Sequence, residues 1–234
     1  MEDQKKIVVV AGATGRAGKC IVKEVISRGF QVRALVIPPF DPPEPPELKE
    51  LGVTEFAEGD LTSVEALEKA VDGAQFLISG IGSRKPFSGK ENDKIDNMGN
   101  QNLTRAAKAK GLEHIVVISS IGVGNSKMAV SSFLYRLSMG PILKAKGKSE
   151  EFIPTCGIDY TIIRPGGYSD KELSGELAFG EGGKITGRVR REHVAQACVD
   201  ALITPAMKNR TFEVADASTV AEERRSLIID DPRK

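Results

Sequence analysis

In Ile7-Val8-Val9-Val10-Ala11-Gly12-Ala13-Thr14-Gly15-Arg16-Ala17-Gly18, an apolar run meets three glycines spaced three apart. The β-branched residues Ile7–Val10 predict a short strand buried on both faces. Beyond the glycines, Ala17–Arg28 sets Cys20, Ile21, Val25 and Ile26 at helical spacing, and Gly29 is a natural stop. Strand, glycine turn and helix opening form the context in which such glycines cradle a phosphate. The first allows the tight turn, the second lets backbone approach a pyrophosphate, and the third permits close helix–strand packing. The helix start adds free N–H groups and a positive dipole end. Gly12, Thr14, Gly15, Arg16, Ala17 and Gly18 are therefore the first candidate ligands, and the ligand class is a nicotinamide dinucleotide.

Outward from this loop, strand-like and helix-like stretches alternate. Strands are predicted at Gln31–Ile37, Val53–Glu58, Ala74–Ser79, Ile115–Ser120, Tyr160–Arg164 and Thr211–Ala215. Thr62-Ser63-Val64-Glu65 reads as a capping box opening a helix to Val71. A longer helix is predicted from about Asn92 to Lys110, with Ile95, Leu103, Ala106 and Ala107 inward, and another at Glu192–Ile203. Strict alternation predicts an α/β fold, a doubly wound parallel sheet of Rossmann type with helices on both faces. One domain is expected over 1–216, with about 125–190 forming the substrate side and 217–234 a charged, loosely held tail. Six prolines within Pro38–Pro46 exclude helix and central strand there; this is read as a surface loop, either a rigid connector or a strip for a protein partner.

With 234 residues the chain suits one sizeable domain. A net charge of +1 argues against nucleic acid or an anionic membrane as partner. The longest apolar run is far short of the roughly 20 residues of a membrane helix. No signal or transit peptide is read in the first residues, so a cytoplasmic protein is expected, as monomer or homodimer. Cys20, Cys156 and Cys198 are scattered, without metal-ligand spacing, and no metal site is expected. His114 and His193 have no acid or thiolate partner in sequence and are read as structural or exposed.

The choice between NAD(H) and NADP(H) turns on the end of the second strand. NAD-specific sites carry an acid there for the ribose 2′-hydroxyl. Here the position falls among Leu35, Val36 and Ile37, while Arg16 and Arg33 could face a 2′-phosphate. The reading places NADP(H) ahead of NAD(H).

Four stretches in order, Gly12-Ala13-Thr14-Gly15-x-x-Gly18, Gly59-Asp60-Leu61, Ile118-Ser119-Ser120-Ile121-Gly122 and Tyr160-Thr161-Ile162-Ile163-Arg164-Pro165-Gly166-Gly167, resemble the atypical short-chain dehydrogenases. The resemblance is to the NmrA-like and flavin/biliverdin reductase subgroup and covers about 6–216. It implies that Asp60 and Leu61 meet the adenine, and that Gly80-Ile81-Gly82 line its ribose. It further implies that Ser119 and Ser120 sit by the nicotinamide, that Lys146 holds the nicotinamide ribose, and that Pro165-Gly166-Gly167 pass along the nicotinamide face. Ser119, Ser120 and Lys146 are thus the catalytic candidates.

One departure bears on chemistry. These enzymes carry Tyr-x-x-x-Lys, whose tyrosine protonates the carbonyl oxygen. Counting back from Lys146 gives Ile142, and four residues beyond Tyr135 stands Met139. The apolar stretch 128–143 is read as a wall of the substrate pocket, or alternatively as core or a dimer face. Two functions stay open: an NAD(P)H-dependent reductase of a small, conjugated or aromatic acceptor, and a dinucleotide-binding sensor, regulator or assembly factor of the NmrA type without turnover.

Overall fold

The structure is a computed structural model that describes residues 5–37, 44–85, 87–129 and 133–234, the side chains of 128, 129 and 133–138 excepted. In chain order the elements are β1 (Ile7–Ala11), α1 (Arg16–Ser27), β2 (Gln31–Val36), α2 (Pro46–Lys49), β3 (Glu55–Glu58), α3 (Val64–Val71) and β4 (Phe76–Ser79). Then come α4 (Gly89–Asn92), a π-helical turn (Asp93–Gly99), α5 (Asn100–Ala109), β5 (His114–Ile118), α6 (Phe133–Phe152) and β6 (Tyr160–Pro165). The last are β7 (Gly167–Tyr168), β8 (Leu177–Gly180), β9 (Arg188–Val189), α7 (Arg191–Ile203) and β10 (Arg210–Asp216).

Eight strands form one sheet in the order β3-β2-β1-β4-β5-β6-β10-β8. Every pairing in it is parallel except that of β10 with β8. Side chains of β1 alternate between two layers, as a strand buried on both faces requires. Val8 and Val10 join α1 and α7 in one layer; Val9 and Ala11 join α3 and α5 in the other. Chain order reverses between β1 and β4. In an open parallel sheet this switch point, at the carboxyl ends of the strands, is where a ligand crevice forms.

Several sequence expectations change. Ser63, not Thr62, caps α3 by accepting from Ala66 N, because the Thr62 amide and hydroxyl are both taken by Asp60. The helix foreseen over 92–110 contains the π turn. β7, β8 and β9 were not foreseen; each is at most four residues long, too short to show a period. The tail is packed on the domain: Val220 is buried, Ile229 pairs with Phe179, and the Arg233 guanidinium lies 5.1 Å from the Phe179 ring while bonding Asp231 and Asp200. Within the proline strip, 38–43 lie outside the described residues, and Pro46 opens α2, whose Leu48 is fully buried. No helix among the described residues is long and apolar enough to cross a membrane.

Candidate functional site

The glycine loop joins β1 to α1 at the switch point. Gly12 takes φ +83, a left-handed conformation that costs glycine little. A methyl group on it would meet the Gly80 carbonyl oxygen at 2.8 Å, so this loop and the loop after β4 lie backbone to backbone. Gly12 O accepts from Gly15 N at 3.0 Å, closing the turn. Gly18 packs tighter still: its missing side chain leaves only 2.0 Å to Gly12 O. Gly15, the N-cap of α1, has nothing nearer than Gly12 O at 3.3 Å, so its bare backbone faces the open crevice. The first turn of α1 carries no acid and no side-chain cap. Its amide groups and dipole end are thus available to an anion.

A groove of about 470 Å³ runs from this loop. Gly12, Thr14 and Gly15 line one part, and Leu35, Val36, Ile37, Leu61 and Ile81 give it apolar walls. Gly80 and Gly82 line it as well, and Arg84 and Lys85 bring two cations against one acid, Glu91. A pyrophosphate at the amino end of α1 and a planar apolar base against these walls fit this lining. Asp60 is exposed and not part of it; its carboxylate accepts from the Thr62 amide and hydroxyl at 2.8 Å, which holds it below the usual carboxylate range. Arg16 is exposed and paired with Asp170 at 2.8 Å, and Arg191 holds the same carboxylate at 2.6 Å. Ala17 follows in the first turn of α1.

Arg33 corrects the sequence reading. Its guanidinium bonds Glu55 at 2.8 Å and the carbonyls of Ala70 and Asp72 at 3.3 and 2.6 Å. Those carbonyls end α3, which leads into β4, so they mark the amino edge of the sheet, opposite the groove. In a strand the side chain's direction is set by cross-strand partners, which spacing from the glycine loop does not reveal.

At the carboxyl end of β5, the Ser119 amide bonds Ile163 O at 2.7 Å, and the Ser119 hydroxyl is buried with no hydrogen-bond partner among the described residues. A buried hydroxyl left unpaired costs free energy, so this atom marks a place for a ligand group. Ser120 Oγ donates to Ile121 O at 3.0 Å. Lys146, on α6, is buried; its Nζ donates to Ile118 O at 3.3 Å and lies 3.0 Å from Asp96 Oδ1. Pro165 ends β6, Gly166 N donates to Val214 O at 2.9 Å, and Gly167 N donates to Gly187 O at 3.0 Å. A methyl group on Gly166 would strike Gly187 O at 2.3 Å, so these glycines allow two loops to meet. Behind them Arg164, buried, is gripped by Glu150, Glu213 and Asn125. The cluster ties the loop after β5 to β6, β10 and α6, and burial raises the Glu213 carboxyl above its ordinary value.

Ile142 is buried on α6 one turn before Lys146, so the position of the family tyrosine is aliphatic. Tyr160 starts β6, at the amino edge. Tyr168 packs on the core beside α1 and α7 with the Arg191 guanidinium 4.6 Å from its ring, and burial raises its phenol. Tyr135 lies among the side chains outside the description, as does most of the apolar stretch 128–143. Asp96, fully buried, is a polar site residue that sequence reasoning missed, as are Arg84 and Lys85 in the groove lining. Reading 92–110 as a regular helix gives Asp96 no distinguishing periodicity; the π turn presents it to Lys146. His114 is structural: it is buried, bonds Thr161 Oγ1 at 3.0 Å, and burial pushes its imidazole down to about 4.

Sheet, glycine loop and groove together define a Rossmann-type protein that binds a nicotinamide dinucleotide. More particularly, the chain belongs to the NAD(P)H-binding family, whose profile matches residues 12–205, and this is consistent with its resemblance to the atypical short-chain dehydrogenases. It is similar to the uncharacterized chloroplastic protein At2g34460 of Arabidopsis thaliana, 33% identical over 93% of this chain and 78% of that protein. It is 30% identical to sanguinarine reductase of Eschscholzia californica, over 90% of this chain and 89% of that one. Among solved structures it resembles the anaerobillin reductase ChuY of Escherichia coli O157:H7, with TM-score 0.76 and 22% identity, over 90% of this chain and 97% of that chain.

Proposed function

We propose that the protein is a reductase that prefers NADP(H) and acts on a small conjugated or aromatic acceptor. The observation that carries this reading is the pairing of an intact dinucleotide groove with Ile142 where the proton-donating tyrosine would stand. When bound, the dinucleotide supplies hydride; the protein supplies binding, orientation and exclusion of water. The glycine loop and the first turn of α1 hold the pyrophosphate, while Leu35, Val36, Leu61 and Ile81 pack the adenosine end. Lys146 and the unpaired Ser119 hydroxyl engage the nicotinamide end, and Ser120 orients the acceptor.

Preference for NADP(H) is supported by the apolar end of β2 and by Arg84 and Lys85 in the same groove, with Arg16 beside the loop. Arg33 drops out of this argument. The acceptor class follows from the acid. A plain ketone develops alkoxide charge and wants a positioned proton donor, typically worth about 10²–10⁴-fold. Isoleucine provides none. A conjugated acceptor spreads the added charge and takes its proton from water. The relative named for reducing sanguinarine is in keeping with a reductase.

The same isoleucine favours a second reading, a dinucleotide-binding regulator or assembly factor without turnover. Assaying a panel of flavins, quinones, linear tetrapyrroles and simple carbonyls with NADPH separates the two. Reduction confined to the conjugated members is expected. Vigorous ketone reduction refutes the acceptor argument, and silence across the panel with tight cofactor binding establishes the second reading.

A further inference from the structure

We propose that Asp96 is a positioning residue of this site: it fixes the Lys146 ammonium at the carboxyl end of β5 and ties it to the loop after β4. The inference rests on the reading of the groove as a nicotinamide dinucleotide site. Asp96 is fully buried, and its two oxygens serve two elements. Oδ1 lies 3.0 Å from Lys146 Nζ, while Oδ2 accepts from the backbone amide of Ser83 at 3.0 Å. Ser83 directly follows Gly80-Ile81-Gly82, which line the groove. One carboxylate therefore joins the two ends of the candidate site.

The ammonium carries three N–H donors. Ile118 O takes one of them, and Asp96 pairs with the ammonium by charge at 3.0 Å with no hydrogen bond to its Oδ1 among the described residues, so the head group keeps a donor for a ligand hydroxyl. A long, flexible lysine held at both ends of its head group loses less freedom when that ligand arrives. The Asp96 backbone is anchored too: its carbonyl accepts from Asn100 Nδ2 at 3.0 Å, and Asn100 Oδ1 accepts from Ser79 Oγ, on β4, at 2.7 Å. Gly99 lets the turn settle on Ile81 and Leu61, to which a methyl group would come within 3.1 and 3.2 Å. Each residue of a regular helix turns about 100°. The π turn inserts one extra residue, so Asp96 faces Lys146 while Leu103, Ala106 and Ala107 keep their places in the core.

The test is a double-variant cycle on the full chain: Asp96→Asn, Lys146→Met and both together, each titrated with NADPH by its fluorescence and each melted. Asp96→Asn and Lys146→Met are each expected to weaken binding by about tenfold or more, as for loss of a hydrogen bond to a charged group. The double variant should bind no worse than Lys146→Met, because Asp96 acts through the lysine. Additive losses overturn the proposal, as does wild-type affinity in Asp96→Asn. Should Asp96→Asn not fold, the double variant, which buries neither charge, decides alone against Lys146→Met: equal affinity supports the proposal and a further loss overturns it. Wild-type protein that binds neither NADPH nor NADH would remove the dinucleotide reading, and this inference with it.

Discussion

Gly15 and Gly18 stand three residues apart in one loop, and the structure predicts opposite consequences for adding a single methyl group to each. At Gly18 the new carbon would lie 2.0 Å from Gly12 O and 2.8 Å from Ala13 Cα, both backbone atoms. Ordinary contact begins at 3.4 Å, so α1 must withdraw by about the difference, 1.4 Å. That movement drags Ile21, Val22 and Val25 out of their seats against β1 and α7. Overpacking of this kind costs about 3 kcal/mol, which in a domain of this size lowers Tm by roughly 6–12 °C. At Gly15 the one atom within 4 Å among the described residues is Gly12 O at 3.3 Å, only 0.1 Å inside ordinary contact, and φ −73 with ψ 162 suits alanine. Gly15→Ala should therefore melt within about 2 °C of wild type, as a substitution that disturbs no packing. Its methyl group stands where a pyrophosphate approaches the backbone, so cofactor affinity should fall more than about tenfold. Thermal melts with and without NADPH, beside fluorescence titrations, check both. Gly18→Ala melting with wild type, or Gly15→Ala binding NADPH normally, would refute the reasoning.

Arg33→Ala should leave the ratio of NADPH to NADH affinity unchanged and lower stability by about 1–2 kcal/mol, since it uncouples Glu55 and the last carbonyls of α3; a changed ratio would return Arg33 to the cofactor site. His114, pushed down by burial to about 4 in the folded protein from 6.5, takes up its proton first in the unfolded chain. Stability should therefore fall as pH drops from about 6.5 to 4, by up to about 3 kcal/mol, and urea titrations should show a flatter dependence for His114→Gln. Removing 228–234 takes away the strand partner of Phe179 and the Arg233 stack, so the shortened chain should melt measurably lower; an unchanged Tm would show that the tail packs without stabilising.

Much of the fold was legible because its signals are local. Val8 and Val10 face one layer and Val9 and Ala11 the other, so a short β-branched run, apolar at every position and closed by glycine, reads as a strand covered on both sides. Glycine tolerance is equally local: the spacing of Gly12, Gly15 and Gly18 states where backbone must come close, and the contacts at 2.0 and 2.8 Å are what it states. Ser119, Ser120 and Lys146 were found through their resemblance to a family, and the structure brings Ser119 and Lys146 to one strand end.

What the chain's own order could not contain is the direction of a side chain whose partner is distant in sequence. Arg33 and Glu55 are 22 residues apart and settle each other's direction, which takes Arg33 from the groove. Phe179 receives Ile229 from 50 residues on, so a charged tail becomes part of the body. Asp96 and Lys146 are likewise 50 residues apart, and they meet only because an extra residue in one helical turn rotates the carboxylate toward the end of β5. By itself the sequence determined the parallel sheet, the glycine loop and the dinucleotide class, since each rests on periodicity or on the absence of a side chain. Only the tertiary structure decided which charged groups stand at the site, because a buried charge takes its place from its counter-charge, and that partner is chosen by packing.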